Sequence, residues 1–317
     1  MSKTDVVSRL GYLYVVGAAI LWASSGSASK FLFNAGVSPN QLVQMRVTMA
    51  SLALFLWIGT FSRDLLKISL KDLPYVMLLG TFGMAALQYL YLFAISKINV
   101  ASAILLQYQA PVLIIIFSAF VLKERISRIT IAAILLSTAG CYLVVGGYNL
   151  ELFSMNRLGT FAALLAACSF AFYSRYGEYG MDRYNPITIT FYSMVVACLI
   201  WNIVEKPFSS FQMEYTPVQW LWIFFIAIPG TVVPYTLYFK GISLIRSARA
   251  GITATLEPIA AGFIAYLFLG ESMDPLQISG ALLVVMAVMI LQLSKEESSL
   301  NPEELPMEIG CLQSWDK

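Results

Sequence analysis

The chain is laid out as long apolar runs separated by short polar connectors. A helix that crosses a hydrocarbon core of ~30 Å needs about 20 mostly apolar residues. Ten segments meet that requirement: 11–33, 40–61, 73–95, 100–122, 128–147, 158–179, 186–204, 217–241, 249–270 and 275–293. Connectors such as 34–39 and 271–274 leave no room for an extramembrane domain. The first run is long and carries no small-residue cleavage site, so it reads as a spanning helix and not as a signal peptide. The expected fold is an all-α integral membrane protein with ten transmembrane helices. Residues 1–10 form a short N-terminus. Residues 294–317 turn acidic and Pro-containing and read as a solvated tail.

The polar connectors set an orientation. Lys and Arg accumulate in cytoplasmic loops. With the N-terminus inside, the cytoplasmic segments hold Lys3, Arg9, Arg63, Lys67, Lys71, Lys123, Arg125, Arg128, Arg183, Arg246, Arg249, Lys295 and Lys317. The outer segments hold only Lys97, Arg157 and Lys206. The expectation is a multi-pass protein of the plasma membrane with both termini in the cytoplasm.

The apolar runs repeat. LYLFAISKINVASAILLQYQAPVLIIIFSAFVLKE, from Leu90 to Glu124, aligns without a gap on LYFKGISLIRSARAGITATLEPIAAGFIAYLFLGE, from Leu237 to Glu271. Pro111 falls on Pro258, Tyr91 on Tyr238, Ser96 on Ser243 and Ala101 on Ala248, and ten positions are identical. Chance matches between apolar runs pair Leu with Ile; they rarely pair Pro, Tyr, Ser and Glu in one register. Each half, 11–147 and 158–293, thus holds five helices. Five is odd, so the second half enters from the opposite side of the membrane. The loop charges agree: the loop after the third helix carries only Lys97 and its counterpart carries Arg246 and Arg249. The loop after the fourth carries Lys123, Arg125 and Arg128, and its counterpart after the ninth has no Lys or Arg. Inverted repeats recur in secondary transporters, with the site near the midplane between the halves.

Composition narrows the function classes. Only 12% of residues are charged, half the share of a soluble domain, and the net charge is +2, which gives no reason to expect a nucleic-acid partner. Histidine is absent. Cys141, Cys168 and Cys198 lie in apolar runs and Cys311 in the tail, without a CxxC pair. A disulfide framework, a metal site and a Ser-His triad are not expected. No cofactor or enzymatic activity is expected.

The segment GAAILWASSGSASKFLFNAGVSPNQLVQMRVTMASLALFLW resembles the start of an EamA-type domain of the drug/metabolite transporter superfamily, with Trp22, Lys30 and Arg46 carrying the likeness. The blocks around Pro111 with LKER and Pro258 with LGES resemble the fourth-helix signature of that domain in both halves. The resemblance covers about 11–293. The second copy departs early: Phe170 stands near the Trp22 position and no Arg matches Arg46. The resemblance implies ten helices, a central cavity, and export or exchange of metabolites.

Charges inside apolar spans are costly and mark candidate sites. Glu257 lies about 12 Å into the ninth helix at 1.5 Å per residue, near the bilayer midplane. It is a candidate to bind a proton or a cationic group; the alternative is a structural carboxylate satisfied by Thr253 or by a Lys or Arg. Pro111 and Pro258 remove a backbone donor and free the carbonyls of Gln107 and Ala254, which points to helix kinks. Lys240 reads as a snorkelling residue or a salt-bridge or carboxylate contact. Arg175 and Glu178, spaced i, i+3, read as a local pair or gate. Lys30 and Arg46 read as structural, and Glu124 and Glu271 as interfacial.

Gln88 and Tyr91 share a face of the third helix, and Tyr235 and Tyr238 hold the equivalent positions on the eighth. With Trp22, Tyr173, Gln107 and Glu257 they are candidates to line a cavity for an amphipathic solute. Ala133, Ser137 and Cys141 form a small-residue stripe for packing within the monomer or for a homodimer contact. The expected partners are a small-molecule substrate, membrane lipid and, as a candidate coupling ion, the proton. The leading function is a secondary transporter that exports or exchanges a small metabolite such as an amino acid; the alternative is an uncoupled channel or facilitator.

Overall fold

The computed structural model describes residues 3–98, 100–120, 123, 126–145, 147–148, 156–269 and 274–293. Glu124, Glu271 and the tail with Cys311 lie outside the described residues. The described elements are helical: α1 (Lys3–Asn34), α2 (Pro39–Phe61), α3 (Leu73–Leu78), α4 (Ala86–Lys97), α5 (Val100–Gln107), α6 (Ala110–Phe120), α7 (Arg128–Val144), α8 (Arg157–Gly180), α9 (Pro186–Val204), α10 (Pro217–Ala227), α11 (Val233–Ala254), α12 (Glu257–Leu269) and α13 (Pro275–Leu293). Among the described residues, eight helical spans are long and apolar enough to cross a membrane. The segments expected at 128–147 and 249–270 are present in shorter pieces. The first is α7, of 17 residues. The second is divided between the end of α11 and α12, and the chain turns into it at Arg246, whose φ of 67° and ψ of 161° are not helical.

Local chemistry starts these helices where the sequence changes from polar to apolar. Ser38 caps α2 in a capping box with Gln41, followed by Pro39, and Asn185 caps α9, followed by Pro186. Thr216 and Gln219 form a second capping box ahead of Pro217 on α10. A side-chain acceptor satisfies the first free N–H groups, and Pro tolerates the first turn because it lacks that donor. The register that sets Leu90 on Leu237 also sets Pro39 on Pro186.

Backbone irregularities recur in the same register. A π-helical segment, Leu79–Ala85, joins α3 to α4, and another, Ile228–Val232, joins α10 to α11. The helix stops at Gln107 and resumes at Ala110; it stops at Ala254 and resumes at Glu257. Pro111 and Pro258 therefore sit in the first turn of a new helix. The kinks expected from sequence are full interruptions. At both, the chain makes a short turn closed by Gln109 N–H to Leu106 O (3.2 Å) and by Leu256 N–H to Thr253 O (3.1 Å).

Helices pair across the two halves: α1 on α11, α4 on α8, α2 on α9 and α7 on α13. At the α7–α13 crossing two backbones meet directly. A methyl group added at Gly140 would lie 2.7 Å from the carbonyl oxygen of Gly280, and one at Gly280 would lie 2.7 Å from that of Gly140. Small residues permit such close backbone approach in lipid, where packing holds helices together. Ala133, Ser137 and Cys141 are buried, which assigns the small-residue stripe of α7 to packing within the monomer. Replacing Gly140 by Ala should destabilise the protein by about 1–3 kcal/mol through overpacking. A thermal unfolding series on purified protein checks this; an unchanged midpoint would show that the crossing tolerates separation.

Candidate functional site

A narrow cavity lies between the halves, lined by Trp22, Ser25, Gly26, Arg46, Leu87, Tyr91, Gln107, Phe170, Tyr235 and Glu257. Its volume is ≈ 20 Å³, room for about one water, so the lining side chains fill most of the space between the halves.

Each charged group is held by the other half of the molecule. Glu257 is the first residue of α12, where the acceptor end of the chain break meets a helix N-terminus. Its Oε2 accepts a hydrogen bond from the Tyr108 hydroxyl at 2.6 Å, and Tyr108 occupies the matching break between α5 and α6. The alternative reading of Glu257 as a structural carboxylate offered Thr253, or a Lys or Arg, as its partner. The structure corrects this: the Thr253 hydroxyl bonds back to Arg249 O at 2.8 Å, as a mid-helix Thr commonly does. Arg46 on α2 donates through Nε to Thr231 Oγ1 and through Nη2 to Gly230 O at 3.0 Å. Both acceptors belong to the π-helical segment before α11. The other π-helical segment makes a parallel link, since Trp201 Nε1 of α9 donates to Ala85 O at 3.2 Å.

Aromatic rings close the walls. Trp22 lies edge-on to Phe170 (5.8 Å) and Tyr235 (5.1 Å) and tilts against Tyr238 (5.2 Å). Several polar atoms point inward without partners. Trp22 Nε1, Ser25 Oγ and Gln107 Oε1 are buried and make no hydrogen bond, and the Tyr91 hydroxyl faces Glu257 without closing a well-formed one. Unpaired buried donors and acceptors are costly, and their convergence on one cavity marks a place for a polar solute.

A model of the EamA-like transporter family matches residues 9–146 and again residues 157–293. The chain belongs to this family. It is 27% identical over 290 residues to the uncharacterized inner membrane transporter YicL of Salmonella typhimurium, covering 90% of this chain and 96% of the relative. It is 24% identical over 230 residues to the pseudopaline exporter CntI of Pseudomonas aeruginosa, covering 72% and 78%. One solved crystal structure superposes with a TM-score of 0.71 at 18% identity, covering 88% of this chain and 95% of that one, which bears on the fold alone. The protein is thus a multi-pass plasma-membrane transporter of small solutes in the drug/metabolite transporter superfamily, a class without catalysis.

Within this EamA-like frame the sequence-derived candidates divide. Trp22, Tyr91, Gln107, Tyr235 and Glu257 line the cavity. Gln88, Tyr173 and Tyr238 are buried but stand behind it. Gln88 donates to Met84 Sδ at 3.5 Å, the Tyr173 hydroxyl lies 3.2 Å from Ser193 Oγ, and the Tyr238 hydroxyl lies 2.8 Å from Ser174 Oγ. The matched aromatic pairs are therefore used unequally: Tyr91 faces inward from the first half, and in the second half Tyr235 does so, the position aligned with Gln88. Arg175 Nη1 and Glu178 Oε2 form an ion pair at 3.1 Å, away from the cavity. Lys240 lies half-buried on α11, also outside it.

Arg46, Tyr108, Ser25 and Phe170 were not among the sequence-derived site residues. Arg46 carried a readable signal. It stands roughly 10 Å into α2 from Pro39, as deep as Glu257, and a guanidinium at that depth needs a partner or a cavity. Lys30, grouped with it, donates to Ile95 O (2.7 Å) and Ile98 O (3.3 Å) at the end of α4. Tyr108 carried no local signal, because its bond to Glu257 joins residues far apart in the chain.

Proposed function

We propose that this protein is a secondary transporter that exports or exchanges a small amphipathic metabolite of amino-acid type by alternating access. In this reading the two family matches, 9–146 and 157–293, are five-helix repeats of opposite orientation, ten helices in all, with both termini in the cytoplasm. The observation that carries the reading is the placing of one guanidinium, Arg46, and one carboxyl, Glu257, on the wall of a single aromatic-lined cavity. Arg46 would take an anionic group of the solute and Glu257 a cationic one. Trp22, Phe170, Tyr91 and Tyr235 would hold its apolar part, and Gln107 and Ser25 would orient it. Export as the direction draws support from the name of the Pseudomonas relative.

Glu257 also offers a site for a coupling proton. A carboxyl hydrogen-bonded by Tyr108 can hold or release a proton within the span, and ionisable groups inside membranes commonly serve as relays. In this reading, rocking of the halves would open the cavity to either side.

Counterflow in proteoliposomes tests the proposal. Liposomes preloaded with unlabelled zwitterionic amino acids and amphipathic metabolites should accumulate labelled solute, with saturation and trans-stimulation for at least one chemical class. Flux that rises linearly without trans-stimulation would assign a channel instead. Silence across the whole panel would remove the amino-acid-type cargo.

A further inference from the structure

Two helix pairs flank the cavity, and each is seated too closely to slide. In the first, α1 lies on α11: a methyl group at Gly241 would collide with Val15, and one at Gly11 would lie 2.7 Å from Ile245. In the second, the α3–α4 rod lies on α8. A methyl group at Gly159 would lie 2.8 Å from Lys97 Cβ, one at Gly83 2.8 Å from Tyr173, and one at Gly180 would collide with the Tyr75 hydroxyl. These contacts run along most of α8, roughly 36 Å at 1.5 Å per residue over its 24 residues. Each pair is interdigitated along its length; between the pairs, Gly177 of α8 seats the tip of the Phe239 ring of α11, where a methyl group would collide.

Between the two bodies, polar clasps sit at opposite ends. At one end, Lys30 of α1 donates to Ile95 O and Ile98 O, carbonyls at the close of α4. At the other, Glu178 of α8 accepts from the Ser247 N–H at 3.2 Å and from the Ser247 hydroxyl. Arg175 braces that carboxylate. In the register that sets Leu90 on Leu237, Ile98 falls on Ile245 and Val100 on Ser247. Both clasps therefore grip the same corner of the fold, where one helix ends and the interrupted helix begins. They use opposite charges. A cation takes free carbonyls at a helix C-terminus; an anion takes a free N–H at the start of a helical turn. Arg246, with its positive φ, breaks the helical backbone just before the clasped turn.

We infer that Lys30 and Glu178 are the two gates of the transporter, one at each end of the cavity, positioned so that release of one clasp accompanies tightening of the other. The inference rests on the alternating-access reading. A charge-assisted bond to a helix end at the membrane boundary suits this task, because water can replace it when the bodies part. The glycine-seated pairs then rock as units, and the interrupted helices α5–α6 and α11–α12 follow their clasped corners.

Hydrogen–deuterium exchange on the full chain in nanodiscs, without substrate, tests the assignment. Lys30→Met should speed exchange about threefold or more in peptides covering 26–34 and 95–104, and slow it comparably in peptides covering 175–184 and 243–252. Glu178→Gln should give the reverse pattern, and Lys30→Arg should retain the wild-type pattern. Faster exchange at both ends would mean general loosening and would overturn the assignment, as would a change confined to the substituted end. Because this readout needs no solute, loss of reciprocity alongside intact counterflow would remove the gates and leave the carrier standing.

Discussion

Glu257→Ala should reduce solute exchange roughly 10²–10³-fold. The carboxyl is buried, receives the Tyr108 hydroxyl at 2.6 Å, and shares its cavity with Arg46. Its removal leaves the buried Tyr108 phenol without its acceptor, which costs about 1–3 kcal/mol, and takes the proposed cation and proton site off the cavity wall. Glu257→Gln separates the two roles. The amide oxygen can still accept from Tyr108, so the fold and the closure of the broken helices should hold, and the thermal midpoint should stay near wild type. The amide cannot take up or release a proton near neutrality, so accumulation driven by an imposed pH gradient should vanish. Proteoliposomes assayed in exchange mode and under a pH jump read both effects. PH-driven uptake that survives Glu257→Gln would place proton coupling elsewhere.

Much of this arrangement was readable before any coordinates. The register of Pro111 on Pro258 located both helix interruptions, because a proline inside a long apolar run breaks the helix that leads into it. It did not distinguish a kink from a stop. That difference depends on what receives the backbone groups exposed at the break, here Cys141 Sγ against Thr255 O at 3.8 Å, and that partner comes from another helix. The π-helical segments were not legible at all. LGTFGMA and IPGTV contain Gly and Pro, but nothing in either string announces a widened turn. Burial of the polar candidates was foreseen; which of them faces the cavity was not. A period of 3.6 places Gln88 and Tyr91 on one face, while small offsets in helix rotation decide which of the two reaches the centre. Lys30 and Arg46 show the same limit. Both are cations in apolar spans, and only their depth and the backbone carbonyls near them separate a clasp at a helix end from a group on the cavity wall.

Arg46 yields the second large effect. Its guanidinium is fixed by two acceptors of the π-helical segment, Thr231 Oγ1 and Gly230 O. In a regular α-helix the Gly230 carbonyl would face residue 234, which is Pro and has no N–H, so this acceptor is left available to Arg46. A guanidinium can satisfy both acceptors and still present N–H groups to the cavity, because its five donors are held in a fixed plane. Arg46→Met should therefore abolish measurable exchange, a loss of about 10²-fold or more, by removing the cationic wall and stranding two buried acceptors. Arg46→Lys should lose about tenfold or more, since a single ammonium cannot reproduce the planar grip. The loss should fall on KM for solutes with a carboxylate and spare analogues in which it is amidated. Equal losses for the acid and its amide would show that Arg46 holds α2 against the π-helical segment and takes no part in recognising the cargo.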